Sequence, residues 1–354
     1  MSDEKKIYFR NYNNILSDLI SHYEETTILH RAGLYVGWND LVNPDKKIVE
    51  LCKKHDVPSL IVEHGMKAVS DYQMGLKDIH NGMGEKPFIA DNIAVWGDAS
   101  KDIMLNAGVD ESKIHVVGSP IIWDHKYIYG YGEEELEVPF FVGAKNIDPN
   151  TGEEWELKGC ESSIPKNEKQ SIVAYFIHHD YTEMGRKYNG LIYDQLKHRD
   201  DLFVKLTSSY LKRDDKNPFQ ELLEIEDPKD RATKCIAIDP QLKKNMFFIK
   251  QLLKKCKAVV TTIPGTINGV CWAMDVPVIV PKIDWGWRDG EGNTIYDSQD
   301  ADFVCEIDEI NDVIDGLCEG DKQKEREEAA KYFMGVDKGN SLKNLMEVVD
   351  KCSK

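Results

Sequence analysis

The sequence lacks features that define several large classes of protein. No apolar run approaches the roughly 18 residues that a membrane helix needs, and the start, MSDEKK, has no apolar secretory segment. None of the eight cysteines forms a Cys-x-x-Cys pair, so zinc knuckles and thioredoxin-type redox sites have no support. We therefore expect a cytoplasmic protein without a membrane span, in which the cysteines are reduced and structural.

Positive charge is also scarce. The chain has 45 Lys+Arg against 62 Asp+Glu, a formal net charge of −17, which argues against broad binding to nucleic-acid phosphates. Neither a Walker-type Gly-x4-Gly-Lys-Ser/Thr motif nor a Gly-x-Gly-x-x-Gly motif after a strand is present, so kinase and dehydrogenase functions are disfavoured. With 354 residues, 41% of them hydrophobic, the chain is long enough for about two globular domains.

Strand and helix patterns alternate in two blocks of the chain. Predicted strands are 27–38, 57–63, 89–96 and 114–117 in the first block, and 171–177, 202–206, 236–238, 258–262 and 276–280 in the second. Predicted helices are 44–54 and 99–107, then 182–197, 241–256, 265–274 and 308–317. Strands separated by helices of about 10–15 residues are typical of parallel βαβ units.

These blocks predict an α/β chain of two Rossmann-like domains facing each other across a cleft. The predicted parts are an N-terminal domain (1–127), a connector with an inserted hairpin (128–169), a C-terminal domain (170–330) and a C-terminal helix (331–354). Ligands of such folds bind at the carboxyl ends of the strands, so the loops that follow the strands are the candidate sites.

The first candidate site is the turn Ile61–Lys67 (IVEHGMK) at the end of a predicted strand. His64 is a candidate general base because an unperturbed imidazole titrates near working pH. Glu63 and Asp40, the latter at the end of another predicted strand, are carboxylates that could orient it. The alternative is that His64 only hydrogen-bonds its own loop.

The second candidate is Val260–Thr266 (VTTIPGT), where a strand turns into a helix. Amides at a helix start are unsatisfied donors with a partial positive charge, so the turn could hold a diphosphate through Thr262, Gly265 and Thr266. The alternative is that Thr266 merely caps the helix.

Three further candidate residues, two histidines and a lysine, stand at or just after the ends of strands in the second block. His178 and His179 come after strand 171–177, and Lys205 ends the next strand. Too few metal-binding side chains converge there for a metal site, so we predict contacts to phosphate or sugar and no metal. A solvated loop is the alternative for the two histidines.

The fourth candidate is the loop Asp284–Gly290 (DWGWRDG) after strand 276–280. Its tryptophans would suit stacking on a base or a sugar, and they would equally suit packing over the core. Asp284 is the first residue of this loop and a further carboxylate after a strand.

Taken together, these segments resemble two-domain nucleotide-sugar enzymes of the GT-B type. Ile61–Asp71 is similar to the Val-Glu-Ala-Gly-Leu-Arg-Ser turn of non-hydrolysing UDP-N-acetylglucosamine 2-epimerases and to the His-Gly turn of CDP-glycerol and capsule-type transferases. Ala90–Gly97 and Asn106–Pro120 resemble the stretch that ends the first domain of these enzymes. Ala258–Val280 resembles their Gly-Thr … Gly-Lys-Pro-Val-Ile segment, with Gly265 and Pro277 in register.

Two departures from that pattern bear on the reaction. Val270 stands where these enzymes usually carry a ribose-binding Glu, and Lys77–Met83 replaces the epimerase Pro-Glu-Glu signature. The carboxylates that an epimerase would use are therefore incomplete, which favours transfer over epimerisation. Recognition of the donor ribose would then fall to backbone groups or to Asp284.

The resemblance implies a metal-independent glycosyltransferase without a cofactor, whose donor is a nucleotide-diphosphate sugar. His64 would accept the proton of an acceptor hydroxyl, which could belong to a saccharide, a lipid-linked group or a nucleic acid. Alternatives are a nucleotide-sugar 2-epimerase or hydrolase, a transferase acting on modified nucleic-acid bases, and a binding protein without turnover.

Overall fold

The structure is a computed structural model that describes most of the chain. The described residues are 6–9, 32–37, 45–63, 65–66, 88–106, 108–123, 145–147, 154–156, 172–177, 183–207, 210, 217–226, 234–237, 249–250, 252–262, 265–286, 293 and 298–353. The chain divides into two compact units. The first unit contains residues 1–124, 288–293 and 330–354, and the second contains residues 125–287 and 294–329.

The first unit is built on a parallel sheet whose five strands lie in chain order. They are β1 (Lys6–Phe9), β2 (Ala32–Gly37), β3 (Ser59–Val62), β4 (Asn92–Val95) and β5 (Ile114–Val116). Helix α1 (Asp45–Lys54) follows β2, α2 (Asp98–Asn106) follows β4, and α3 (Pro120–Trp123) follows β5. Strand β1 was not predicted from the sequence.

The second unit contains a six-stranded parallel sheet and a short antiparallel pair. The pair is β6 (Lys145–Ile147) with β7 (Glu154–Glu156), and it falls in the predicted connector. The sheet consists of β8 (Ile172–Phe176), β9 (Leu202–Leu206), β10 (Cys235–Ala237), β11 (Cys256–Thr261), β12 (Val278–Pro281) and β13 (Asp302–Cys305). Its helices are α4 (Glu183–Leu196), α5 (Gln220–Glu224), α6 (Thr266–Ala273) and α7 (Ile310–Gly316). Strand β13 was not predicted.

The strand order of this sheet is β10-β9-β8-β11-β12-β13. The chain runs from β8 outward to β10, returns to the centre at β11, and then runs outward on the other side to β13. This is the Rossmann order, in which the direction of winding reverses between the first and fourth strands. The carboxyl ends of β8 and β11 therefore flank a topological switch point, where open α/β sheets bind their ligands.

The central strands of the second sheet are mostly apolar and buried, as expected of parallel strands that are covered on both faces. All five residues of β8 are buried, and Val173 and Tyr175 pack with Ile192 and Leu196 of α4. In the first unit, alternate strand residues enter two separate apolar clusters, one of which includes Val49 of α1. The prediction of two Rossmann-like α/β domains is confirmed, while the domain boundaries and the cleft between the domains stay predictions.

The last part of the first unit is the C-terminal segment 330–354. Helix α8 (Gln323–Met334) begins in the second unit and ends in this segment. It is followed by α9 (Ser341–Cys352), and Val349 of α9 packs in the second apolar cluster of the first sheet. Predicted as one helix, residues 331–354 contain the end of α8, a 3-10 turn and α9.

Two glycines permit the end of α8 to approach the first sheet closely. A Cβ on Gly97 would overlap the carbonyl oxygen of Tyr332, and a Cβ on Gly335 would overlap the carbonyl oxygen of Trp96. Gly335 also has a left-handed backbone, with φ +60°, which L side chains adopt at a cost. Backbone atoms cannot move aside as a flexible side chain can, so both positions require glycine.

We predict that Gly97→Ala and Gly335→Ala each lower the free energy of unfolding by about 2 kcal/mol or more, because overpacking against a backbone forces strain. Chemical denaturation monitored by circular dichroism measures the change. Gly316→Ala is the control, since its added Cβ would meet no atom within 4 Å. Equal stability of all three variants would contradict the close approach.

None of the helices in the described part of the chain is long and apolar enough to cross a membrane.

Candidate active site

The predicted donor-binding residues of the second unit lie at one edge of its sheet. Lys205 is near the end of β9, Thr262 follows β11 directly, and Asp284 comes three residues after β12. Because these strands are parallel, their carboxyl ends share the same edge. His178 and His179 lie outside the described residues. The edge that contains the switch point is therefore the candidate donor site.

The start of α6 differs in one detail from the expectation. The Gly265 N–H, predicted to bind a phosphate, donates to the Asn268 side-chain oxygen at 3.2 Å, while the Asn268 N–H donates to the Gly265 carbonyl at 2.9 Å. The amide that was predicted to bind a phosphate is therefore engaged by a side chain of its own helix.

Gly265 itself faces open space. A Cβ built on this residue would meet no atom of the described residues within 4 Å. Its backbone is extended, with φ −171° and ψ −154°, a conformation that any residue adopts. Neither packing against the described residues nor backbone conformation therefore requires glycine here.

Buried hydrogen bonds also hold a later residue of α6, Trp272, in the second unit. The indole N–H of Trp272 donates to the Asp302 carboxylate at 2.9 Å, and the Gln299 N–H donates to the same carboxylate at 2.9 Å. Burial raises the pKa of Asp302 to about 6, although the hydrogen bonds from Gln299 and Trp272 oppose the rise. The side-chain oxygen of Asn268 accepts the Gly265 N–H.

Asp302 also completes an Asp-x-Asp sequence, Asp300-Ala301-Asp302. Asp302 is 1% exposed, and its carboxylate is bonded to Trp272 and Gln299. It is the first residue of β13, so it lies at the opposite end of the strand from the carboxyl edge of the sheet. Within the described residues, no group of three or more His, Cys, Asp or Glu side chains is placed to hold a metal ion.

The Asp302 pKa predicts a pH dependence of stability. A carboxyl whose pKa is higher in the folded protein than in the unfolded chain destabilises the fold when ionised, and this cost is relieved as the pH falls through about 6. Asp302→Asn lacks this titration. We expect the stability of the wild type relative to Asp302→Asn to rise by about 1 kcal/mol between pH 7.5 and pH 5, measured by denaturation. A difference independent of pH would contradict a raised pKa.

Thr262 is placed differently from a residue that contacts the donor. It is 1% exposed, and its hydroxyl donates to the side-chain oxygen of Asn189 at 2.8 Å. The hydroxyl therefore points into a buried hydrogen-bond network.

The loop after β12 combines an exposed carboxylate with a packed aromatic ring. Asp284 is exposed, and its carboxylate accepts the Gly286 N–H at 2.8 Å. Trp285 packs against the core of the second unit and makes an edge contact with Tyr188, at 5.8 Å between ring centroids. Of the two interpretations of the tryptophans, packing over the core applies to Trp285, while Trp287 lies outside the described residues.

In the first unit, Glu63 is a buried structural carboxylate. It is 2% exposed, and its two oxygens accept the Trp96 N–H and the Ser100 hydroxyl, each at 2.6 Å. These bonds join the end of β3 to the start of α2, and the carboxylate sits favourably at a helix N-terminus. His64 and Asp40 lie outside the described residues.

Two site residues were missed by the sequence analysis, and each carried a weak signal. Asn268 stands three residues after Gly265, where a polar side chain commonly reaches back to the residue before a helix. Asn189 is a polar residue within an apolar stripe of the predicted helix 182–197, on a face where the structure buries it completely. Val270, in place of the expected ribose-binding carboxylate, is also fully buried.

The comparisons with known proteins give matches among solved structures alone. No family model matches the chain, and no curated protein sequence matches it. The UDP-GlcNAc 2-epimerase of Methanocaldococcus jannaschii, in complex with UDP-GlcNAc and UDP, superposes with a TM-score of 0.55 at 14% identity, over 95% of this chain and 80% of that one. The UDP-GlcNAc 2-epimerase of Neisseria meningitidis, bound to UDP-GlcNAc, superposes with a TM-score of 0.51 at 15% identity, over 96% of this chain and 80% of that one. A further UDP-N-acetylglucosamine 2-epimerase superposes with a TM-score of 0.51 at 11% identity, over 95% of this chain and 75% of that one.

The chain has a GT-B-type fold. At these identities the comparisons establish the fold alone, which is the fold that the sequence resemblance implied. The chemistry of this GT-B-type protein has to be argued from its own residues.

Proposed function

We propose that this protein is a glycosyltransferase that moves a sugar, or a related group, from a nucleotide-diphosphate donor to an acceptor hydroxyl. The observation that carries the proposal is the β8/β11 switch point, which has a helix start and open space at Gly265 beside it. Anions bind readily at such helix starts because the amides and the helix dipole both favour negative charge. The solved structures with this fold have UDP-GlcNAc bound, which supports a nucleotide-sugar donor.

In this proposal the diphosphate binds to the first-turn amides of α6, beginning at Thr266. Lys205, on the strand next to β8, supplies a positive charge at the same edge. His178 and His179 follow β8 in the chain and are proposed as further contacts, and Asp284 is proposed for the ribose. Charge on the leaving diphosphate is then stabilised by helix-start amides, with no metal or cofactor required.

Acceptor activation is assigned to the first unit. We propose that His64 removes the proton of the acceptor hydroxyl and that Asp40 orients it. Glu63 contributes differently, since its carboxylate anchors the end of β3, from which the His64 turn begins. The acceptor is a hydroxyl of a saccharide, of a lipid-linked group or of a nucleic acid.

Two features favour transfer over epimerisation. The epimerase Pro-Glu-Glu signature is absent from the sequence, and the buried Glu63 carboxylate is committed to Trp96 and Ser100. A nucleotide-sugar 2-epimerase is kept as the second candidate, because three solved structures that superpose with TM-scores above 0.5 are epimerases.

Donor binding is tested by thermal denaturation with UDP, CDP, GDP, TDP and their common sugar conjugates. A ligand at about 100 times its Kd stabilises the folded state by about 2.7 kcal/mol, a clear rise in Tm. Absence of any shift, together with no heat of binding by calorimetry, would contradict the proposal.

The two candidate reactions are separated by following the bound donor in deuterated water. An epimerase exchanges the C2 hydrogen of the sugar with solvent and needs no acceptor. A transferase releases the nucleotide at an appreciable rate only when an acceptor hydroxyl is supplied. Deuterium at C2 without added acceptor would establish the second candidate.

A further inference from the structure

A cluster of buried polar side chains lies directly beneath the β11–α6 connection. The Asn189 side-chain oxygen accepts the Thr262 hydroxyl at 2.8 Å and the Tyr175 hydroxyl at 3.0 Å, and the Asn189 amide nitrogen donates to the Tyr210 hydroxyl at 3.0 Å. All four side chains are at most 4% exposed. Asn189 is the member that contacts the three others.

The four residues come from different elements around the switch point. Tyr175 is on β8, Asn189 is on α4, Tyr210 follows β9, and Thr262 follows β11. The network therefore joins the two strands that flank the switch point through a helix that follows one of them. Since unsatisfied polar groups are costly in a buried site, such a network has one favourable arrangement and resists displacement.

Two members of the network are themselves held by the core. The rings of Tyr175 and Tyr210 pack on Phe219, with centroid distances of 6.4 and 4.9 Å. Asn217 adds a bond from its side-chain amide to the Tyr210 carbonyl at 2.6 Å. Burial keeps the pKa of Tyr175 well above its ordinary value, so its hydroxyl stays a donor.

Thr262 is the member that leads out of the network toward the candidate site. It is the first residue after β11, and α6 begins four residues later, at Thr266. A fixed Thr262 therefore determines where the chain leaves the sheet and, with it, where the first-turn amides of α6 are placed.

We propose that Asn189 is a positioning residue for donor binding, which acts through the Thr262 hydroxyl on the β11–α6 connection without touching the donor. This inference rests on the proposed function, because it assigns the donor diphosphate to the start of α6. A displacement of about 1 Å at a polar site is sufficient to lower its effectiveness by a large factor.

The test compares nucleotide Kd values, measured by calorimetry, for four variants. Asn189→Ala and Thr262→Val each remove the Asn189–Thr262 bond, and we expect each to weaken binding about 10-fold or more. Thr262→Ser retains the hydroxyl and is expected to bind within about twofold of the wild type. Because the two side chains act through one bond, the double variant Asn189→Ala/Thr262→Val should bind no more weakly than the weaker single variant.

Tyr193→Phe is the matched control for general destabilisation of α4. Tyr193 lies four residues after Asn189 on the same helix. Its hydroxyl donates to the Glu221 carboxylate, at 2.7 Å, and not to Thr262. We expect this variant to lower the Tm without changing the nucleotide Kd. Additive effects of Asn189→Ala and Thr262→Val, or a wild-type Kd in Thr262→Val, would overturn the positioning role.

Hydrogen–deuterium exchange of the ligand-free protein keeps this inference separate from the proposed function. We expect peptides that cover the start of α6 to exchange faster in Asn189→Ala and Thr262→Val, and at the wild-type rate in Thr262→Ser and Tyr193→Phe. If the wild type binds no nucleotide, the proposed function fails, whereas unchanged exchange in Thr262→Val overturns the positioning role by itself.

Discussion

Gly265→Ala should weaken nucleotide binding about 30- to 100-fold while leaving the Tm of the ligand-free protein unchanged. A methyl group at this position meets no atom of the described protein within 4 Å and sits on an extended backbone, so the fold accommodates it. In the proposed complex, the methyl group would occupy the space through which a diphosphate approaches the first-turn amides of α6. It would keep the diphosphate oxygens from reaching hydrogen-bond distance of these amides. Calorimetric titration with the nucleotide that gives the largest thermal shift measures the effect, and a 100-fold loss corresponds to about 2.7 kcal/mol.

The comparison with Gly316→Ala makes this result specific. Gly316 also has open space around its missing Cβ and lies in α7, where alanine favours the helix. We expect Gly316→Ala to bind nucleotide like the wild type. Gly265→Val should bind at least as weakly as Gly265→Ala, because a larger side chain fills more of the same space. A wild-type Kd in both Gly265 variants would remove the start of α6 from the donor site.

His64→Ala and His64→Gln should lower kcat for transfer by about 100- to 10,000-fold, the range that a general base contributes. Neither variant should change the Kd of the nucleotide, because the proposed donor residues all belong to the second unit. Initial rates with saturating donor and acceptor measure kcat, and calorimetry measures the nucleotide Kd of each variant. Gln preserves much of the hydrogen-bonding capacity of histidine without its basicity, so equal losses in both variants indicate proton transfer.

Glu63→Gln serves as the comparison for His64. A glutamine can still accept the Trp96 backbone N–H with its oxygen and donate to the Ser100 hydroxyl with its amide nitrogen, so both bonds persist without the negative charge. Because charge-assisted hydrogen bonds are stronger than neutral ones, we expect a lower Tm. Near-native turnover by both His64 variants would exclude His64 as the base and leave Asp40 to be tested.

The local sequence pattern predicted most of the parallel strands because they are buried on both faces and are continuous apolar runs. Strand 202–206 was predicted with its observed bounds, and the strands ending at residues 62, 95 and 261 were predicted to within one residue at their carboxyl ends. Strands β1 and β13 were missed. The sequence of β13, DFVC, is too short and too mixed in polarity for periodicity to separate it from a loop.

The same pattern could not show which groups at the strand ends were available for chemistry. Thr262 and Glu63 both stand where a strand delivers side chains to a ligand, yet each is buried and bonded to a residue distant in sequence, Asn189 and Trp96 respectively. Such pairings depend on which elements meet in space, and no spacing within one segment encodes them.

The order of apolar and polar residues by itself determined the α/β class, the two Rossmann-like domains and the segments that end at the carboxyl edge of the second sheet, since these follow from local periodicity and turn chemistry. Tertiary structure alone decided that β8 and β11 are neighbours at a switch point and that Asn189 holds Thr262. The reason is physical: a buried donor or acceptor must find its partner wherever packing places one, and packing is a property of the whole fold.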